Sequence, residues 1–129
     1  MKLGYAIVYV DSVKTALDFY NKAFGLKTRF LDETGNYGEL DTGQATLAFA
    51  AHALAGSHLP SGYVPMSASG KPLGMELALV TDDVASAFAQ ATAAGAAAVA
   101  EPKVKPWGQT VAYVRSIEGT LIELCTPIV

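Results

Sequence analysis

An alternating pattern of side chains at the start of the chain predicts a β-strand. Residues 4–10, GYAIVYV, are rich in β-branched and aromatic residues, which are enriched in strands. Alternation places Tyr5, Ile7 and Tyr9 on one face of this strand and the intervening residues on the other. One face of the strand is therefore available to a ligand once the other is buried.

The next stretch, VKTALDFYNKAF, predicts an amphipathic helix because its apolar residues recur three and four positions apart. Asp11 or Ser12 can cap its N-terminus, and Gly25 follows as a C-terminal stop. Three more strands are predicted in LKTRFLDE, YGELDTG and ATLAFA, which are separated by turn residues. The first half of the chain is thus predicted to be β-α-β-β-β.

The same order of elements is predicted again in the second half. MELALV is a strand, Asp82 or Asp83 caps the helix VASAFAQATAAG, and the strands AAVAEP, GQTVAYVR and TLIELCTP follow. Such internal repetition indicates two related modules. We predict a single α+β domain over residues 1–129, in which modules 1–50 and 74–129 form a curled mixed sheet with the helices on its outer face. Residues 51–73 show no sustained period and are predicted to be a connecting loop.

Alignment of the two modules singles out an unusual carboxylate, Glu123, in the otherwise apolar strand TLIELC. The alignment pairs Ala48 with Glu123 and Tyr5 with Glu76, all on the face that the helices leave free. A glutamate on a strand is most often simply solvated. The repeated placement favours a second interpretation, in which both carboxylates line a ligand cleft.

Composition excludes several classes of function. The net charge of -3 and the pI of about 5.2 provide no basic surface for nucleic acid. The single cysteine, Cys125, cannot form an internal disulfide, and no Cys and His residues have zinc-finger spacing. No stretch is long and apolar enough to cross a membrane. We expect a cytoplasmic protein whose partner is a small molecule.

Two neighbouring carboxylates in a cleft disfavour joint ionisation, so Glu76 and Glu123 are candidate acid–base catalytic residues. The candidate ligand-binding residues are Tyr5, Tyr9, Trp107 and Glu39. For Trp107, a packing role and stacking on a flat ligand are equally compatible with the sequence. For Glu39, a solvated strand edge is slightly favoured over a place in the cleft. The two histidines of the connector, His52 and His58, are expected to be exposed. Cys125 is expected to be a buried structural thiol.

The sequence resembles the vicinal oxygen chelate superfamily, which includes glyoxalase I, bleomycin resistance proteins and extradiol dioxygenases. The similar segments are YAIVYVDSVKTALDFYNKAFGL, ELALVTDDVASAFAQATAAGA and PWGQTVAYVRSIEGTLIELCTP. They cover essentially the whole chain apart from residues 51–73. The resemblance implies the fold predicted above, and it implies a homodimer.

In metal-dependent members of this family, four ligands come from the first and last strands of the two modules. The resemblance places these ligands at Tyr5, Ala48, Glu76 and Glu123, of which only the two glutamates are good metal ligands. We therefore expect a protein without a cofactor that binds an aromatic or cationic ligand. The alternative is a lyase or isomerase similar to lactoylglutathione lyase, in which Glu76 and Glu123 hold Ni, Zn, Fe or Mn and a dimer mate or the connector supplies the missing ligands.

Overall fold

The computed structural model describes residues 1–128 and divides into two compact units, unit 1 from Met1 to Pro65 and unit 2 from Met66 onward. The elements of unit 1 are β1 (Tyr5–Val10), α1 (Val13–Phe24), β2 (Thr28–Leu31), β3 (Tyr37–Leu40), β4 (Thr46–Ala51) and α2 (His52–His58). Those of unit 2 are a 3₁₀ turn (Met66–Ala68), β5 (Glu76–Val80), α3 (Val84–Ala93), β6 (Ala97–Val104), β7 (Thr110–Arg115) and β8 (Leu121–Cys125).

Each unit contains one open, mixed four-stranded sheet. The strand order is β1-β4-β3-β2 in unit 1 and β5-β8-β7-β6 in unit 2. In both sheets the first strand pairs in parallel with the last, and all other pairs are antiparallel. The predicted α+β class and the two β-α-β-β-β modules are confirmed. No helix within residues 1–128 combines the length and hydropathy needed to cross a membrane.

The caps of the two long helices explain where these helices begin. The Ser12 hydroxyl accepts a hydrogen bond from the backbone N–H of Thr15, so Ser12 is the N-cap of α1 rather than Asp11. Asp83 caps α3 in the same way through the N–H of Ser86. Gly25 adopts a left-handed conformation at φ 68° and ends α1 as predicted.

Helix α1 packs closely on one face of the unit 1 sheet. Its apolar side, including Val13, Leu17 and Tyr20, is almost fully buried against the strands. Gly38 in β3 lies directly beneath this helix: a Cβ atom added there would lie 2.8 Å from Leu17 Cδ1 and 2.9 Å from Val13 Cγ1. Glycine therefore permits this approach, because a larger residue would force the Leu17 or Val13 side chain to shift.

The connector differs from the loop that was predicted over residues 51–73. It contains the seven-residue helix α2 and a 3₁₀ turn at Met66–Ala68. Only Ala55 of α2 is buried, so the helix has no repeating apolar face for a sequence pattern to reveal. The prediction that both connector histidines are exposed is also wrong for His52, which is half-buried at the start of α2.

Replacing Gly38 with alanine is expected to lower the free energy of unfolding by about 1–3 kcal/mol, because the new methyl group would overpack the α1–β3 contact. Urea denaturation of the variant measures the change. Gly4→Ala is the matched control, because nothing lies within 4 Å of a Cβ atom at Gly4. Equal stability of the two variants would contradict the packing argument.

Candidate functional site

The open face of unit 2 carries a row of three side chains at the middle of its sheet. β5 runs parallel to β8 with Ala78 opposite Glu123, and β7 runs antiparallel to β8 with Tyr113 opposite Glu123. Residues on this face alternate with Ile122 and Leu124, which are buried on the α3 side. Glu123 is charged within an apolar strand because its side chain lies on the face opposite to the core.

Tyr113 links the two predicted carboxylates. Its hydroxyl donates a hydrogen bond of 2.9 Å to Oε1 of Glu123, and the same phenol is close enough to Glu76 for a second such interaction. Burial and the bond to Glu123 raise the pKa of Tyr113 to about 12, so the phenol keeps its proton at neutral pH. The structure thus brings Glu76, Tyr113 and Glu123 together, as predicted for the two glutamates.

The carboxyl group of Glu76 is perturbed by its surroundings. Partial desolvation and then the negative charge of Glu123 raise the pKa of Glu76, and the hydrogen bond to Tyr113 opposes this rise. Within residues 1–128, neither carboxylate forms an ion pair with a Lys, Arg or His side chain. The face therefore holds two negative charges that no cation of the described chain neutralises.

Cys125 lies two residues beyond Glu123 on the same face and is buried, with 3% of its surface exposed. Burial, followed by the neighbouring Glu123, raises the pKa of its thiol to about 11. A thiol that stays protonated at neutral pH is a poor nucleophile. The prediction of a buried structural thiol is confirmed.

Unit 1 has a different set of side chains at the corresponding positions. Ala48 in β4 pairs with Ile7 on one side and Glu39 on the other, and its methyl group is fully buried. The predicted counterpart of Glu123 is therefore apolar. The carboxylate of unit 1 lies one strand further along, on β3.

Both carboxylate oxygens of Glu39 accept hydrogen bonds from side chains of unit 1. Its Oε1 accepts from the Arg29 guanidinium at 3.1 Å, and its Oε2 accepts from the Tyr37 hydroxyl at 2.8 Å. Burial, together with the bond to Glu39, raises the pKa of Tyr37 to about 12. Glu39 differs from the unit 2 carboxylates because an arginine already neutralises its charge.

Of the other predicted binding residues, Tyr5 and Tyr9 belong to unit 1 and Trp107 belongs to unit 2. Tyr5 lines an open groove of about 650 Å³ in unit 1 together with Lys2, Gln44 and Thr46. Tyr9 contacts the ring of Tyr63, with 4.8 Å between ring centroids. Trp107 lies in the turn between β6 and β7, where 66% of its surface is exposed and its indole N–H donates to Gln109.

The donor atoms of unit 2 do not suit a divalent metal. Such an ion needs at least three good protein ligands, and within residues 1–128 no three His, Cys, Asp or Glu side chains converge on one point. Unit 2 offers only the carboxylates of Glu76 and Glu123 and the protonated phenol of Tyr113. The residues present therefore do not fit the metal that the family resemblance implies.

An arginine anchors the end of the connector to unit 2. The Arg115 guanidinium donates to the carbonyl oxygens of Met66, Ser69 and Gly119. A Cβ atom at Gly119 would lie 2.6 Å from the Met66 carbonyl oxygen, so glycine permits this contact. Arg115 therefore bonds to backbone oxygens, and no ion pair joins it to Glu76 or Glu123 within residues 1–128.

Sequence reasoning missed Tyr113 and the partners of His52. Tyr113 alternates correctly within the predicted strand GQTVAYVR, but its position opposite Glu123 depends on the register of an antiparallel pair. His52 and Tyr63 lie in the connector, where no periodic pattern was available. The sequence pattern could show on which face of the strand Tyr113 lies, but it could not show that Glu123 lies opposite.

Comparison with solved structures supports the fold. A glyoxalase-related enzyme from Fulvimarina pelagi has a TM-score of 0.82 and 18% identity, covering 98% of this chain and 88% of that chain. A glyoxalase/bleomycin resistance protein/dioxygenase family enzyme from Burkholderia phytofirmans PsJN has a TM-score of 0.77 and 21% identity, with both chains covered completely. A superfamily member from Sphaerobacter thermophilus DSM 20745 has a TM-score of 0.68 and 25% identity, with 98% of each chain covered.

A search of curated proteins finds no match to this sequence. The family model described as the Glyoxalase/Bleomycin resistance protein/Dioxygenase superfamily matches residues 2–124. This range includes both β-α-β-β-β modules and the carboxylate pair of unit 2. The chain therefore belongs to the glyoxalase/bleomycin resistance protein/dioxygenase superfamily.

Proposed function

We propose that this protein binds a small cationic molecule, with an aromatic or other apolar portion, on the open face of unit 2. The observation that carries the proposal is the Glu76–Tyr113–Glu123 cluster, in which two carboxylates share a phenol and lack a cationic partner among residues 1–128. A bound cation would supply the missing positive charge.

The electrostatics of the cluster favour a positive ligand. Partial desolvation and then repulsion by Glu123 raise the pKa of Glu76, and the repulsion falls when a cation lies between or beside the two carboxylates. The rings of tyrosines also attract cations through their π-electrons. The half-buried Tyr113 therefore contributes both a hydrogen bond that orients Glu123 and an aromatic surface for the ligand.

The surroundings of the cluster favour an organic cation over a simple hydrated ion. Ala78 is an exposed small residue next to Glu123, and Val80, further along β5, has 65% of its surface exposed. Apolar surface beside paired carboxylates is typical of sites for amphipathic ligands. The family description includes bleomycin resistance proteins, and a binding role agrees with that part of the family.

The carboxylate pair predicts preferential binding of benzyltrimethylammonium over benzyl alcohol, its neutral analogue. Glu123→Gln and Glu76→Gln are each expected to weaken binding of the cation by about fivefold, since a partly exposed charge pair contributes about 1 kcal/mol. Isothermal titration calorimetry or the rise in melting temperature with ligand measures the effect.

Glu101→Gln is the matched control for these variants, because it removes the same charge from an exposed position on β6. Binding by this control should equal that of the unchanged protein. A chelator should leave binding unaltered, and higher salt should weaken it. Equal affinity for the cation and the alcohol, or loss of binding with the chelator, would contradict the proposal.

Charge at Glu76 is expected to reduce stability at neutral pH. The pKa of Glu76 is raised above the value of 4.5 expected in the unfolded chain. Its protonation therefore stabilises the fold, fully below pH 4.5, and this stabilisation is lost as the pH rises through the folded-state pKa. Glu76→Gln should therefore raise the melting temperature at pH 7 by about 2 °C, a small value because the side chain is exposed. At pH 4 the variant and the unchanged protein should melt at the same temperature; an equal gain at both pH values would refute this cause.

A further inference from the structure

A second group of polar side chains lies in unit 1, at the edge of the sheet where β1 and β4 end. These parallel strands finish with Val10 paired to Ala51, so the next residues, Asp11 and His52, emerge side by side. Oδ1 of Asp11 lies 3.5 Å from Nε2 of His52. The pairing of the two strands thus places a carboxylate against an imidazole.

The other nitrogen of the same imidazole meets a tyrosine from the end of the connector. Nδ1 of His52 lies 2.6 Å from the hydroxyl oxygen of Tyr63, and the two rings stack with 5.8 Å between centroids. Because Asp11 accepts hydrogen bonds when ionised, it favours the tautomer with hydrogen on Nε2. Nδ1 is then the acceptor, and the Tyr63 hydroxyl donates to it.

We propose that Tyr63 is a nucleophile that accepts an acyl group from small electrophilic carbonyl compounds, with His52 as its general base and Asp11 as a positioning residue. The arrangement has the general form of an activated nucleophile: the base is within hydrogen-bonding distance of the attacking hydroxyl, and a third group orients the base. All three residues of this site belong to unit 1, and none of them is part of the carboxylate pair on which the proposed function rests.

The reaction balances without any further reagent. The Tyr63 oxygen attacks the acyl carbon while its proton moves to Nδ1 of His52, and the resulting imidazolium is stabilised by the Asp11 carboxylate. The bond from the acyl carbon to the leaving group then breaks, and the leaving group takes the proton from His52. The products are an O-acyl tyrosine and the protonated leaving group.

The surroundings of Tyr63 allow this role. The residue is half-buried, so part of its side chain is open to small reagents. The ring of Tyr9, 4.8 Å away and inclined at 60°, supports one side of the Tyr63 ring. His52 contacts two ionisable groups, the Asp11 carboxyl group and the Tyr63 phenol, and the Tyr9 phenol packs against Tyr63.

Acetylation by N-acetylimidazole tests the proposal, with mass spectrometry of peptides to measure the rate at each tyrosine. Tyr5 is the internal reference, because 57% of its surface is exposed. Tyr63 should react at least about tenfold faster than Tyr5 at pH 8, although it is less exposed, because general-base catalysis accelerates proton transfer. The advantage should fall as the pH is lowered, because a protonated imidazole cannot accept the phenol proton.

Two variants assign the effect to His52. His52→Gln should reduce acetylation of Tyr63 to the rate of Tyr5, whereas His58→Gln, at the exposed far end of the same helix, should leave it unchanged. Thermal unfolding shows whether each variant is folded. Acetylation of Tyr63 no faster than that of Tyr5 in the unchanged protein would overturn the proposal without any variant.

The variant Asp11→Asn tests whether Asp11 orients the His52 imidazole or only packs beside it. Asp11 is 95% exposed at its side chain, so the variant should unfold at the same temperature as the unchanged protein. The pH at which Tyr63 loses half its acetylation rate should move to lower values, because the carboxylate that favours the imidazolium is gone. An unchanged pH profile would remove Asp11 from the assignment.

Discussion

In each unit, the parallel pairing of the first and last strands positions central side chains of the candidate sites. This pairing places Ala78 beside Glu123 in unit 2 and Ile7 beside Ala48 in unit 1. Side chains in a strand alternate between the two faces of the sheet. One set therefore packs against the helix, and the other set lies on the opposite face. In unit 1 the parallel pairing also brings the residues after β1 and β4 together.

The two units have similar sheets, but their carboxylates differ in whether an arginine pairs with them. In unit 1 the carboxylate of Glu39 is neutralised by Arg29 and bound by Tyr37, so the face is internally satisfied. In unit 2 backbone oxygens bind the Arg115 guanidinium instead, and Glu123 accepts a hydrogen bond from the Tyr113 hydroxyl. An unneutralised pair of charges costs stability in the free protein, and a cationic ligand would offset that cost.

Much of the architecture was predictable because it depends on local patterns. Alternation identified the strands, and the spacing of apolar residues together with Gly25 identified α1 and its end. The internal repeat also placed Glu76 and Glu123 on equivalent faces before any register was known. Helix α2 was not predictable, since a short helix with one buried residue leaves no periodic signal. The predicted metal ligands, homodimer and cellular location remain predictions.

The sequence by itself determined the order of elements, the face of each strand and the presence of a carboxylate pair, because these follow from side-chain alternation and internal repetition. Tertiary structure alone decided which partners those side chains have. The position of Tyr113 opposite Glu123 depends on strand register, and the contact of His52 with Tyr63 depends on the path of the connector. Such contacts join residues that are distant in the chain, and no local pattern encodes their separation in space.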